Sequence, residues 1–599
     1  MRESTKTSNV PVAAALAALS FLVYLANLRP MGAYDSIPAR LLPLSLLREG
    51  NFDLDEFPWL RRRGLPYFLA EGEDGRVFSK YPVLTPVLLL PVAYPLQLWL
   101  VRNGVEDEEV AFRVATLVFE RVGAALLASL SVALLFAAAS RIASLRVALA
   151  TSLVYAFGTS TWSISSQALW QHGAAELALA GLCWTMVRGP TRGGLLLAGL
   201  FAAGGVAARP TMAVFAVLAV WFVARTRRDL LGWFLLFPSL LAPLLLAYNR
   251  HATGAPTGGY PLRQALVLPD PLVLPALLLS PNRGLFVYTP VTVLTLLAVA
   301  GRYRRLLPPW GGPLALGCAL YVLPLLFWKK WWAGWTYGPR FFTDVLPGLA
   351  LLSLPAAQGL VTRARMRRAV VALALWGVLV QALGVWCDDG SWNREPVPVQ
   401  RDPARVWSLQ DPQILRAFRS GWHGFDLLPL LRSTWNRESP ALLRPLEPPE
   451  LAHALRATGR SARELLGGCA VELEIEIENL CETTWPAFSD FAFLDVGLLY
   501  RWVEKAEATH PLYGQYPVRR GAESGFLPLP KNLGPQKTLR FRKKLRAPSG
   551  REGLALELRL VQRLDGRRVV HARRGFSPLR LELPEGCAGA LLASPHSPW

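Results

Sequence analysis

Between residues 10 and 387 the chain repeats one pattern: an apolar run long enough to cross a bilayer, then a short connection, several of these rich in arginine. The runs fall near 10–28, 116–138, 146–162, 169–187, 194–209, 210–224, 230–248, 286–301, 312–328, 343–361 and 369–387. A hydrocarbon core about 30 Å thick needs about 20 apolar residues in a helix. In lipid every backbone polar group must be satisfied within the protein, which an unbroken apolar run achieves only as a helix. Residues 1–390 therefore read as a polytopic α-helical membrane domain of about eleven spans.

The composition agrees. Of 599 residues, 52% are hydrophobic and 18% charged, and the mean hydropathy is +0.28. A net charge of +21 on a soluble protein would point to nucleic acid. Here the densest arginine sits in the short loops "RTRR" (225–228), "RYRR" (302–305) and "RARMRR" (363–368), the placement expected of cytoplasmic loops, so no nucleic-acid partner is inferred. Many of the 21 tryptophans flank apolar runs, as interfacial aromatics do. The six cysteines show no CxxC spacing, and there is no P-loop, dinucleotide fingerprint or GxSxG. "MRESTKTSN" followed by the run 10–28 reads as a signal anchor with a cytoplasmic N-terminus.

Placing all basic loops in the cytoplasm makes 10–28 end outside and 116–138 begin outside. Both ends of 82–101, which holds four prolines, then face outward, so it reads as a re-entrant or interfacial helix. The outer face collects 29–115, 159–173, 249–285, 329–342 and everything beyond 388. The expected location is the plasma (inner) membrane, multi-pass, with the C-terminal domain extracytoplasmic.

Polar residues gather on that outer side. Asp35 in "GAYDSIPAR" follows the first run directly. It reads either as a helix N-cap or as a reacting carboxylate. Lys80, Arg209, Arg250, Arg283, Lys329, Lys330 and Arg340 lie on the same side against the charge rule. Each reads either as a cation snorkelling to headgroups or as part of a phosphate grip. "SKYPVLTP" offers Lys80 and Tyr81 where the loop meets the membrane. "LWQHG" offers His172, more often a structural residue when alone. "SPNRGLFVYTP" offers Arg283 and Tyr288, and "WWAGWTYGPRFF" offers Trp335, Tyr337 and Arg340, either an interfacial belt or a sugar-stacking surface. "NFDLDEF" with Asp53, Asp55 and Glu56 reads as a solvated loop or as oxygen ligands for a divalent cation.

In order and sidedness, the first-loop Asp, the proline at loop re-entry, Arg209-Pro210, "SPNRGLF" and "GWTYGPRFF" resemble the GT-C fold glycosyltransferases. The likeness is to bacterial relatives of protein O-mannosyltransferases and lipid A aminoarabinose transferases, and it covers roughly residues 8–390. The resemblance implies a sugar donor carried on polyprenyl phosphate, transfer on the outer face with inversion, and Asp35 as general base. It places Lys80 at a basic position of a Lys-Pro-Pro-type motif, written "KYP" here, and Arg209 at a basic position of a Thr-Lys-Gly-type motif. The family's Asp-Glu pair is Asp-Ser here, which leaves a divalent cation as a candidate cofactor rather than an implied one. The acceptor would be a lipid, a glycan or a protein. Two other classes fit the composition: a lipid-linked glycan transporter, and a non-catalytic cell-envelope assembly protein in which Asp35 only caps a helix.

Residues 391–466 read as a connecting extracytoplasmic segment. From 467 the period changes to two: "CAVELEIEIEN" alternates apolar and charged residues as a half-buried strand does. Short strands between Pro and Gly turns continue to the end, which predicts a β-sandwich of about seven strands over 467–599. It resembles immunoglobulin-like modules in its "N…TTWP" turn and the Gly534-Pro535 loop. Cys469 and Cys587 bracket it as a candidate pair.

Overall fold

A computed structural model describes residues 9–31, 34–62, 64–259, 265–424, 427–435, 441–465, 468–487, 494–504, 524–547, 554–564, 569–571, 578–582 and 592–593. The protein is mostly helical, with a β-rich C-terminal region. The chain divides into two compact units, residues 1–98 with 117–424, and residues 99–116 with 425–599.

Among the described residues, four helices are long and apolar enough to cross a membrane: Val110–Ile142, Arg228–Thr253, Arg340–Leu360 and Ala364–Trp386. Their length and composition are consistent with a membrane location. Most of the other expected spans are shorter apolar helices, including Val10–Leu25, Leu145–Phe157 and Gly311–Leu326. Proline marks two of the breaks. Arg209 precedes Pro210 and is extended at φ −149°, ψ 123°, which separates the helices Arg192–Ala208 and Ala213–Thr226, where the sequence already divides the runs 194–209 and 210–224. Thr289-Pro290 likewise splits 286–301 into Leu285–Tyr288 and Val293–Val299. The segment 82–101 is two short helices, Leu84–Leu88 and Leu90–Arg102, rather than one rod.

The helices pack through one large apolar core that includes Phe136, Tyr155, Leu179, Phe234 and Leu352. The closest approach is at Gly199, where an added methyl would overlap the Phe234 carbonyl. Gly199→Ala therefore sets a helix-propensity gain of at most about 1 kcal/mol against an overlap with unyielding backbone, which costs about 1–3 kcal/mol. The expected result is a lower thermal midpoint in detergent, whereas Gly193→Ala on the same helix, with open space around it, holds or raises the midpoint.

The first loop is ordered. It runs through a 3₁₀ turn Tyr34–Ser36, the helix Ile37–Arg48 and an antiparallel hairpin of β1 (Leu69–Glu71) and β2 (Val77–Ser79). The acidic run is built into this hairpin and not held as a free cluster. Arg76 donates to Asp53 at 3.0 Å, Arg61 pairs with Asp55, and the Leu54 N–H bonds the Val77 carbonyl. Among the described residues no three His, Cys, Asp or Glu side chains are grouped as metal ligands.

In the second unit, nine strands are described in two antiparallel sheets. One holds β3 (His453–Leu465), β4 (Gly468–Asn479) and β7 (Thr538–Arg546). The other orders β11 (Leu592–Ala593), β10 (Leu579–Glu582), β8 (Leu554–Arg563), β5 (Val496–Glu504) and β6 (Ser524–Pro528), with β9 (Val569–His571) beside β8. The alternation in β4 buries Val471, Leu473, Ile475 and Ile477. Its glutamates meet cations on β7, Glu474 opposite Arg542 and Glu476 opposite Arg540. The β-rich region begins earlier than the expected 467, because β3 occupies the segment read as a connector. The Asn479 amide donates to the carbonyls of Thr483, Leu533 and Gly534, which ties the two resembling motifs together. The suggested Cys469–Cys587 pairing falls outside the described residues.

Candidate functional site

Three distant segments meet at Asp35. Its Oδ1 accepts hydrogen bonds from the Tyr67 hydroxyl at 2.6 Å and the Tyr81 hydroxyl at 2.9 Å. Its Oδ2 accepts from the Arg340 guanidinium at 3.3 Å. Its hydrogen bonds thus come from side chains, and the helix that follows shows no side-chain cap. Tyr81 is aimed by a local clamp: its N–H donates to Ser79 Oγ, which donates back to the Tyr81 carbonyl, both at 3.0 Å.

Arg340 is aimed by the Gly-Pro-Arg sequence. Gly338 has φ +67°, and a side chain there would collide with the Tyr288 ring, so only glycine fits. Pro339 then opens the 3₁₀ helix Arg340–Val345. Within it, Arg340 and Asp344 lie four residues apart. Arg340 also stacks over Trp170 at 5.1 Å.

The network continues inward through His172, the second residue of the helix Gln171–Arg188. Arg340 Nε donates to His172 Nε2 at 3.1 Å, and Arg209 lies 3.5 Å from the same nitrogen. With cationic donors at Nε2, the imidazole proton belongs on Nδ1, which donates to Asp344 Oδ1 at 2.6 Å. The other Asp344 oxygen pairs with Arg209 at 2.6 Å and accepts from the Tyr321 hydroxyl at 2.5 Å. Asp344 and His172 are fully buried, while Asp35 keeps 17% of its side chain exposed. The outcome is a charge-balanced chain, Asp35–Arg340–His172–Asp344–Arg209, with its accessible end at Asp35.

Burial alone would raise the Asp35 carboxyl. The Arg340 charge and the Tyr67 and Tyr81 hydrogen bonds outweigh it and hold the group below the usual carboxylate range. Asp35 is therefore ionised at neutral pH and can accept a proton, though as a weak base until a neighbour yields its hydrogen bond.

Of the residues expected at the site, the structure gathers Asp35, Tyr81, His172, Arg209 and Arg340. Lys80 adjoins Tyr81, and among the described residues its ammonium makes no hydrogen bond or ion pair. Arg283, Tyr288 and Tyr337 do not reach Asp35, because they are committed to a separate buried lock. Arg283 donates to the Trp332 carbonyl at 3.0 Å, to Gln413 at 2.6 Å and to Asn393 at 2.7 Å, and stacks on Trp392 at 4.9 Å. Burial brings its guanidinium down to about 10. Tyr288 donates to the same Gln413 oxygen at 3.1 Å, and Tyr337 to the Val380 carbonyl at 3.0 Å. Trp335 is 47% exposed and pairs with Gln400.

Tyr67, Trp170, Tyr321 and Asp344 were not expected. Asp344 carried a signal: it is an acid four residues after Arg340 at the head of an apolar run, where a charge needs a partner. Tyr67 and Tyr321 carried none.

Comparison of the chain with known protein families, curated proteins and solved structures finds no match.

Proposed function

We propose that the protein is a membrane glycosyltransferase that moves a sugar from a polyprenyl-phosphate donor to an acceptor outside the cytoplasm, with Asp35 as general base. The observation that carries this reading is Asp35 itself: an ionised, part-exposed carboxylate fixed by two tyrosines and an arginine at the exposed end of a buried polar chain. In this reading the enzyme is a polytopic plasma-membrane protein of about eleven spans, with an extracytoplasmic β-sandwich in which the two C-terminal sheets pack face to face.

The residues suit the chemistry. The acceptor hydroxyl gives its proton to Asp35 while its oxygen bonds the anomeric carbon. The bond from that carbon to the phosphate oxygen breaks, and its electron pair leaves with the polyprenyl phosphate. Tyr67 is 59% exposed, so it is the neighbour whose hydrogen bond the acceptor hydroxyl can replace. The charge-balanced chain has no cation to spare for the leaving phosphate. Lys80, which adjoins Tyr81 and whose ammonium makes no ion pair among the described residues, supplies one. Arg340 keeps Asp35 ionised and oriented. His172, Asp344 and Arg209 hold Arg340, as supporting residues do around a reacting group.

The test is transfer of radiolabelled sugar from a panel of polyprenyl-phosphate sugars into acceptor material, with purified protein in liposomes. The reading expects transfer from at least one donor, and Lys80→Ala to lower it by about 10²–10³-fold, the range for removing one electrostatic contact to a developing anion. No transfer across the panel, or full activity in Lys80→Ala, counts against it.

A further inference from the structure

Away from the Asp35 network, a cavity of about 410 Å³ lies among the helices Leu145–Phe157, Val293–Val299, Leu346–Leu360 and Ala364–Trp386. That is within the range of small-molecule sites, about 300–1,000 Å³. We propose that it binds one acyl chain of an anionic phospholipid whose phosphate sits between Arg146 and Arg367.

The wall is apolar in effect. Leu346, Leu349, Ser353 and Ala357 line it along one face of their helix. With Val361 just past the helix end, they give the cavity a length of about 20 Å at 1.5 Å per residue, the length of an extended lipid tail. Most of its hydroxyls are already used: Thr292 donates to the Thr289 carbonyl at 2.6 Å, Thr295 to the Leu349 carbonyl at 2.9 Å, Ser353 to the Ala350 carbonyl at 2.7 Å and Thr159 to the Tyr155 carbonyl at 2.6 Å, and Tyr155 shares a hydrogen bond with Ser131 at 2.8 Å. Water entering such a slot finds few partners, whereas a hydrocarbon chain needs none.

One end differs. Arg146 and Arg367 both line the cavity, both are exposed, and neither guanidinium makes an ion pair or hydrogen bond among the described residues. Each stands in the first turn of its helix, Leu145–Phe157 or Ala364–Trp386, and neither N-terminus has a side-chain cap. Helix N-termini repel cations and attract anions, so two guanidiniums there, without an ion pair among the described residues, form a site for negative charge. The apolar slot then carries the tail of the molecule that brings it. Basic pockets between membrane helices bind anionic headgroups on this principle. The proposal rests on membrane embedding and not on the transferase reading.

The experiment is native mass spectrometry of the detergent-extracted full chain with phosphatidylglycerol or phosphatidylcholine of identical acyl chains. The expected result is one phosphatidylglycerol retained at least tenfold over phosphatidylcholine. Arg146→Gln with Arg367→Gln, both at exposed positions, should reduce retention to the phosphatidylcholine level. Ala150→Trp, which intrudes on the exposed wall, should reduce retention of both lipids. Equal retention of the two lipids by the native chain overturns the proposal, as does unchanged phosphatidylglycerol binding in the double variant. A polyprenyl phosphate that displaces phosphatidylglycerol from the same arginines overturns the assignment to a phospholipid.

Discussion

Asp35→Asn is expected to lower sugar transfer by about 10²–10⁴-fold, the contribution of a positioned general base, while leaving the protein folded. Asn preserves the shape and can still accept the Tyr67 and Tyr81 hydrogen bonds, but it cannot take a proton. It also frees Arg340 from its 3.3 Å ion pair, so a modest loss of stability accompanies the loss of rate. The pH dependence gives an independent reading. The folded carboxyl lies below its unfolded value, so the stability it contributes is full above the unfolded carboxylate pKa of about 3.9. That contribution is lost as pH falls through the lower folded value. Between pH 7 and 5, Asp35 should impose no loss of activity or stability. The acid limb should appear only below about pH 4, and its Asp35-linked part should vanish in the variant. A rate near that of the native protein in Asp35→Asn removes Asp35 from the base role.

Asp344→Asn is expected to destabilise the protein by about 3–5 kcal/mol, the cost of removing one partner from a buried ion pair. The carboxylate is fully buried and serves His172, Arg209 and Tyr321 at once. The amide cannot neutralise Arg209, and its NH₂ group cannot accept the hydrogen bond that either carboxylate oxygen accepts. Thermal unfolding in detergent measures the effect. Adding Arg209→Gln should recover part of the loss, because that variant no longer leaves a buried cation alone. If the double variant loses the sum of the two single effects, the two side chains are not coupled as their 2.6 Å contact requires.

The sequence carried the large features because they are periodic. Apolar runs announced a mostly helical body with helices long and apolar enough to cross a membrane, and the alternation in "CAVELEIEIEN" announced β4 and its buried face. It carried the polar end of the site because charges beside apolar runs are costly enough to stand out, which singled out Asp35, His172, Arg209 and Arg340. Helix length was less legible. The break at Arg209-Pro210 and the prolines of 82–101 were legible, but apolar content does not reveal that Pro290 ends a helix, so the run 286–301 overstates its length. Contacts between residues far apart in the chain left no local mark. Tyr67 is an ordinary loop tyrosine until the hairpin folds, and Tyr321 an ordinary tyrosine in an apolar run. Arg283, Tyr288 and Tyr337 resembled Arg340 in setting, and what separates them is a distant partner: Gln413, 125 or more positions away, for Arg283 and Tyr288, and the Val380 carbonyl for Tyr337.

That glutamine also bears on how the protein is made. Its side chain accepts from Arg283 and from the Gly338 N–H at 3.1 Å, and its own N–H donates to Asn282 across 131 positions. Gly338 sets the turn from which Arg340 reaches Asp35. A nascent chain released from the ribosome only as far as the helix Ala364–Trp386 has every helix of the site in hand and still lacks the residue that fastens this turn. Maturation of the site must therefore wait for the stretch around 393–413 to emerge and dock. Chains arrested just before it should accumulate with Asp35 and Arg340 unpaired, a state that quality-control proteases can distinguish from the finished protein.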